Sequence, residues 1–195
     1  MIFQELSIPG AWLIEPEKHE DHRGFFARAW CQREFAAHGL TTAFVQGNIS
    51  FNKKKGTLRG LHYQAAPYGE AKLVRVTQGA LYDVIVDLRQ DSPARGQWLA
   101  VELSAENYRM LYIPAGVAHG FQTLADNTEV FYQMSEFHHP DAARGIRWDD
   151  PELNIPWPLP QPIMSPRDLS FGEVRTWETS GEGRAADAPL IANQY

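Results

Sequence analysis

L-Y-D-V-I-V-D-L, residues 81–88, decides the fold class. Successive side chains of an extended chain point to opposite faces, so Tyr82, Val84, Val86 and Leu88 share one face while Asp83 and Asp87 fall on the other. That alternation predicts a half-buried antiparallel strand, apolar side inward and acidic side outward. Working outward, similar strands are expected at 72–76, 97–103, 108–113 and 129–135, with turn signals Q-G, D-S-P-A-R-G and A-D-N between them. Many short strands at regular spacing imply an all-β fold, a double-sheet jelly roll or cupin-like β-barrel with a few short helices. Such a fold encloses a cavity between its sheets. Polar side chains facing it must be functional or satisfy one another.

The flanks are consistent with this core. Residues 1–30 mix short apolar runs with P-G, E-P and H-R-G, the text of edge strands and turns. Q-R-E-F-A-A-H at 32–38 is helix-forming and stops at Gly39. From 148 to 162, W-D-D-P-E-L-N-I-P-W-P-L-P-Q-P carries too many prolines for a central strand and reads as an extended segment wrapped over the barrel. The last fifteen or so residues have little to bury and read as a loose tail. The expectation is one domain over 1–195: edge strands in 1–50, jelly-roll core in 51–140, wrapping segment and tail in 141–195.

Composition narrows the function classes. The chain has 195 residues, a net charge of -6 and scattered rather than clustered basic residues, which argues against nucleic acid or an anionic membrane surface as partner. No apolar run reaches transmembrane length and the N-terminus lacks a signal-peptide pattern, so a cytoplasmic location is expected. Cys31 is the only cysteine, which leaves no intrachain disulfide and no Cys-based zinc site.

The densest chemistry lies at 57–72, T-L-R-G-L-H-Y-Q-A-A-P-Y-G-E-A-K, which places an anion binder, a titratable base and a second cation (Arg59, His62, Lys72) in one strand-and-turn segment. Solvated strand ends and a hydrogen-bonded core histidine would read the same way. Arg59 and His62 are an odd number of residues apart, so a regular strand sends them to opposite faces; a bulge at Gly60, or a place for Arg59 at the strand mouth, would let both reach one ligand. In D-H-R-G-F-F, Arg23 stands beside Gly24, Phe25 and Phe26, a guanidinium for phosphate and a ring for a base, or an ordinary turn. By spacing, S-P-R-D at 165–168 is first of all a helix start, with Ser165 as N-cap, Pro166 at the first position and Asp168 completing a capping box.

Taken in order, D-H-R-G-F-F, Q-G-N-I-S, L-R-G-L-H-Y-Q, K-L-V-R-V, P-A-G-V-A-H-G-F, V-F-Y-Q and S-P-R-D resemble the dTDP-4-dehydrorhamnose 3,5-epimerase family of sugar-nucleotide epimerases, over roughly residues 1–175. The resemblance implies a cupin-type jelly roll, a homodimer that exchanges N-terminal strands, a nucleotide-sugar substrate, and neither metal nor other cofactor. By the same resemblance His62 is the general base, Asp168 orients it, Lys72 faces the sugar ketone oxygen and Tyr132 is the acid. Arg23, Phe26, Gln46, Asn48, Arg59 and His119 then hold the nucleotide, its phosphates or the sugar. The implied reaction inverts C3 and C5 of dTDP-4-dehydro-6-deoxyglucose, in a deoxysugar pathway for surface polysaccharide.

The chemistry suits these residues. Epimerisation beside a ketone removes a proton from one face and returns one to the other through an enolate. Imidazole alone is too weak a base for that: each unit of pKa mismatch costs about 1.4 kcal/mol, so the enolate oxygen needs a cation or donor such as Lys72. Three other readings stay open. P-A-G-V-A-H resembles a metal-binding cupin motif through His119, but His62 is followed by Gln64 rather than a second histidine, and Glu70 adds only a scattered ligand. A non-catalytic sugar-nucleotide binding domain is the second. A monoepimerase acting on another nucleotide, such as a CDP-linked sugar, is the third. It is prompted by Arg28, where the family commonly has a glutamate facing the base, and by His138, where a tyrosine usually stands.

Overall fold

The structure, a computed structural model, describes residues 1–174; the tail expected at the C-terminus lies outside the described residues. In chain order the elements are β1 (Ile2–Glu5), β2 (Trp12–Glu15), β3 (His19–Asp21), β4 (Gly24–Phe26), α1 (Gln32–Ala37), β5 (Gln46–Asn52), β6 (Leu58–Gln64), β7 (Lys72–Gln78), β8 (Ala80–Asp87), β9 (Trp98–Ser104), β10 (Met110–Ile113), β11 (Val117–Thr123), β12 (Thr128–Met134), β13 (Ala143–Gly145) and α2 (Pro166–Leu169). They form two facing antiparallel sheets. One has the order β1-β2-β10-β7-β12-β5 and the other β13-β6-β11-β8-β9, while β3 and β4 make a separate hairpin. This is the expected jelly roll.

Register defines the inner faces. Tyr132 lies opposite both Val74 and Asn48, Met134 opposite Lys72 and Gln46, and Leu111 opposite Val74. Directly opposed residues share a face, so Gln46, Asn48, Lys72, Tyr132 and Met134 line one wall of the barrel. On the other sheet His119 lies opposite His62 and Ile85, and Phe121 opposite Arg59 and Asp83. Val74, Val76, Ile85, Leu111, Phe121 and Val130 close the apolar part of the interior. Each fully buried side chain of this kind contributes on the order of 1.5–3 kcal/mol.

The strand that decided the fold class is correctly placed, but its outer side was misjudged. Asp83 and Asp87 face the barrel interior and are fully buried. The Val84 and Val86 face is covered in turn by Ile146 and by Leu153, Ile155 and Trp157 of the proline-rich segment. That segment is pinned by hydrogen bonds: Trp98 Nε1 donates to Leu153 O at 2.7 Å, and Gln122 exchanges two bonds with the backbone of Leu159. Both faces of β8 are therefore buried. The aspartates survive inside because each has a partner: Asp87 takes Arg89 and Ser92, and Asp83 takes His119.

On the other sheet the outer face is only half covered. α1 packs Phe35 against Ile14, Leu73, Met110 and Tyr112, and it ends at Gly39 in the left-handed conformation, φ 70°. The β5 end keeps Ile49 67 % exposed, with Phe51 also open to solvent.

Candidate active site

The site begins with a bulge. Between the pairs His62–His119 and Arg59–Phe121, β6 advances three residues while β11 advances two. The extra residue restores Arg59 and His62 to one face, as the sequence requires if both serve one ligand. Gly60 makes it possible: its φ is 125°, and a Cβ there would sit 2.5 Å from Gly120 Cα. Only two glycines facing each other let the strands approach so closely.

His62 projects inward from β6, and its Nε2–H donates to Asp168 Oδ1 at 2.7 Å. A carboxylate only accepts, so Nε2 carries the hydrogen and the lone pair sits on Nδ1. Burial holds the imidazole below its ordinary value, with the charges of Lys72 and Arg167 in the same direction; Asp168 pulls it back up. The side chain is still 40 % exposed through the barrel mouth, which moderates the desolvation. His62 is thus a free base at neutral pH whose protonated form has a carboxylate waiting.

Asp168 is where the structure departs most from the spacing argument. Ser165 does cap α2, its Oγ accepting from Asp168 N–H at 3.1 Å. The carboxylate, however, turns away from the helix start and goes to His62. One residue thus performs half of a capping box with its backbone and serves the base with its side chain. α2 is held over β6 by Phe171, whose ring lies where a Cβ on Gly145 would be, 2.4 Å away, and edge-on to His62 at 5.7 Å. Gly145 is opposite His62 in register. Neither Gly145 nor Phe171 was singled out from sequence, because only the folded chain brings them beside the histidine.

The remaining wall is cationic and polar. Lys72 Nζ stands 3.4 Å from His62 O and 3.0 Å from Glu70 Oε1, linking the two sheets. His119 Nε2–H donates to Asp83 Oδ1 at 2.6 Å, a second histidine–carboxylate pair directly across from His62. Arg59 Nε donates to Asn52 Oδ1, and Gln46 and Asn48 bond to each other at 3.1 Å. Tyr132 shares their face between Asn48 and Val74. His138 sits at the mouth, its backbone N–H donating to Gln46 Oε1. Among the described residues no three His, Cys, Asp or Glu side chains group as a metal would require.

Arg23, Phe26 and Arg28 are not brought to this cluster within one chain. Arg23 is paired to Asp21 on the β3–β4 hairpin, Phe26 is 75 % exposed, and Arg28 donates to Glu34 Oε1 at 2.7 Å. Phe26 and Arg28 instead line a cleft with Met1, Glu17, His19 and Glu34. There the N-terminal amine and Arg28 together hold the Glu34 carboxyl down at about 2.

A chain built this way has well-characterised counterparts. The family model for dTDP-4-dehydrorhamnose 3,5-epimerase matches residues 5–175. The chain is similar to the dTDP-4-dehydrorhamnose 3,5-epimerase of Pseudomonas aeruginosa, at 48 % identity over 165 residues, 84 % of this chain and 90 % of that one. Among solved structures it resembles the Legionella pneumophila dTDP-6-deoxy-D-glucose-3,5-epimerase in complex with dTDP-4-keto-L-rhamnose (TM-score 0.83, 39 % identity, 89 % of this chain and 93 % of that one). It also resembles a 3'-monoepimerase from Streptomyces bikiniensis in complex with dTDP-quinovose (TM-score 0.84, 36 % identity, 90 % and 89 % covered).

Proposed function

Because the chain belongs to the dTDP-4-dehydrorhamnose 3,5-epimerase family, we propose that its barrel inverts C3 and C5 of dTDP-4-dehydro-6-deoxy-D-glucose, giving dTDP-4-dehydro-L-rhamnose. The observation that carries this reading is the His62–Asp168 pair at 2.7 Å on one sheet, with Lys72 and Tyr132 on the facing wall of the other. His62 Nδ1 takes the proton from the carbon beside the ketone. The C–H electron pair moves into the ring and on to the ketone oxygen, where the Lys72 ammonium meets the developing enolate charge. The Tyr132 hydroxyl then returns a proton to the opposite face as the enolate collapses. Each turnover leaves His62 protonated and Tyr132 deprotonated. Both reset through water, so a solvent hydrogen ends up on the inverted carbon.

The rest of the site serves binding. Arg59, Gln46, Asn48 and His119 line the same space and supply hydrogen-bonding groups for the diphosphate and sugar. The hairpin residues enter through a second copy of the chain. Among the described residues β5 is the free edge of its sheet, its outer side carries exposed Ile49 and Phe51, and the β3–β4 hairpin pairs with no other strand. A homodimer in which each hairpin adds to the partner's β5 edge covers the apolar patch and delivers Arg23 and Phe26 to the neighbouring site. The span of the family match supports one catalytic domain. A substrate assembled from nucleotides favours a cytoplasmic setting, and among the described residues no helix is long and apolar enough to cross a membrane.

A 3'-monoepimerase is the second reading, favoured by the Streptomyces bikiniensis neighbour and by the exposed His138 at the mouth. Solvent exchange separates the two. The protein is incubated with dTDP-4-dehydro-6-deoxyglucose in deuterium oxide and label is read at each carbon by NMR and mass. Label at C3 and C5, lost in His62→Ala, is the expected result. Label at C3 alone establishes the monoepimerase, and no label removes activity on this substrate.

A further inference from the structure

Lys72 is the charge on which the enolate step depends, yet it is only 7 % exposed. An ammonium shielded from water this well needs a counter-charge, or the cost of burying it rises steeply. Glu70, 6 % exposed, supplies one. Its Oε1 lies 3.0 Å from Lys72 Nζ, and its Oε2 accepts the backbone N–H of Gln64 at 3.1 Å. Gln64 is two residues beyond His62 on β6, on the same inward face. Glu70 therefore ties the lysine of one sheet to the strand of the other that carries the base.

The tie is itself braced. The Gln64 side chain donates to Tyr68 O and Phe137 O and accepts the N–H of His139, which fastens both loops at the mouth around Glu70. Among the described residues the Lys72 ammonium is held by its ion pair with Glu70 and by its hydrogen bond to the His62 carbonyl, at the junction of the two sheets.

We propose that Glu70 is a positioning residue for the epimerisation: it fixes the Lys72 ammonium at a set distance from His62, so that proton removal and charge stabilisation act on the same ketone. In the sequence it stands only as a scattered candidate metal ligand, and no step of the chemistry requires it to touch substrate. The proposal rests on the epimerase reading above, in which Lys72 meets the enolate.

Two measurements on the full-length protein test it. The first is independent of activity: 1H–15N spectra of lysine ammonium groups, with the Lys72 signal assigned by its absence in Lys72→Arg. A held ammonium exchanges slowly enough to be seen, so the signal is expected in the wild type and is expected to vanish in the isosteric Glu70→Gln. The second is kinetic. Glu70→Gln is expected to lower kcat about tenfold or more while KM stays within about threefold, with part of the loss recovered in Glu70→Asp. In a Lys72→Met background the same Glu70→Gln change is expected to cost less than about twofold, because a residue acting only through Lys72 has nothing left to position. A Lys72 signal indifferent to Glu70→Gln, or an equal tenfold loss in the Lys72→Met background, overturns the proposal. A wild type that exchanges no label, but loses the signal in Glu70→Gln, overturns the epimerase reading and keeps the positioning.

Discussion

Asp168→Asn isolates the part of the site that the fold assembles from opposite ends of the chain. The substitution keeps size and shape, and it leaves the Ser165 cap intact because that bond uses the backbone N–H of Asp168. What it removes is the negative charge 2.7 Å from His62 Nε2. In the resting enzyme the loss is small, since a neutral imidazole can still bond to the amide. In the transition state His62 is gaining a proton, and there the charge-assisted bond is worth about 1.5–3 kcal/mol against about 0.5–1.5 kcal/mol for the neutral bond the amide retains, a loss of about 1–1.5 kcal/mol. At about 1.4 kcal/mol per tenfold, kcat should fall roughly 5- to 13-fold, with KM little changed. The pH dependence gives an independent sign. Burial already holds His62 below its ordinary value and Asp168 works against that. Removing the carboxylate lowers the imidazole further, so the acid limb of the kcat profile must move to lower pH even as the plateau drops. Deuterium incorporation from solvent, followed at several pH values in both proteins, reads both effects. A variant within twofold of wild type, or an acid limb that moves up, would refute the assignment of Asp168 as the partner of the base.

Other perturbations test neighbouring links. Tyr132→Phe should lower turnover by about a hundredfold or more, the scale of general-acid help, with the thermal midpoint unchanged; scanning calorimetry beside the exchange assay checks both. Gly60→Ala should destabilise the fold by about 3 kcal/mol or more, because its φ of 125° and a Cβ 2.5 Å from Gly120 Cα and 2.9 Å from His119 O cannot be relieved without moving backbone. Urea unfolding measures it. Ile49→Glu should dissociate the proposed homodimer and, by removing the partner hairpin, weaken dTDP binding; light scattering and calorimetric titration would show a dimer that survives if the proposed edge pairing is wrong. Binding of dTDP should exceed that of CDP, and a clear preference for CDP would return Arg28 to the role of base reader.

The succession of strands was readable from the chain alone. Alternation in β8, turn signals on either side and the absence of a helical period are local properties, and they gave an all-β double sheet without further help. His62, Lys72 and Arg59 stand close together in sequence, and the odd spacing of Arg59 and His62 allows either a bulge at Gly60 or Arg59 at the strand mouth, of which the fold takes the bulge. What local pattern could not supply is which face of a strand meets water. β8 looks half-buried because its aspartates are charged, and although the proline-rich segment reads as wrapping the barrel, the sequence does not say that it covers this strand's other face. Burial then turned Asp83 from a solvent group into the partner of His119. Asp168 shows the same limit from the other side: its spacing from Ser165 satisfied a cap, and 106 residues separate it from the histidine it serves. Pairings of that span are set by the closure of the barrel, which fixes distances between strands whatever their separation along the chain. The bond between Glu70 and the β6 backbone belongs to the same class. Sequence offered the candidate groups; the two sheets decided which of them face one another.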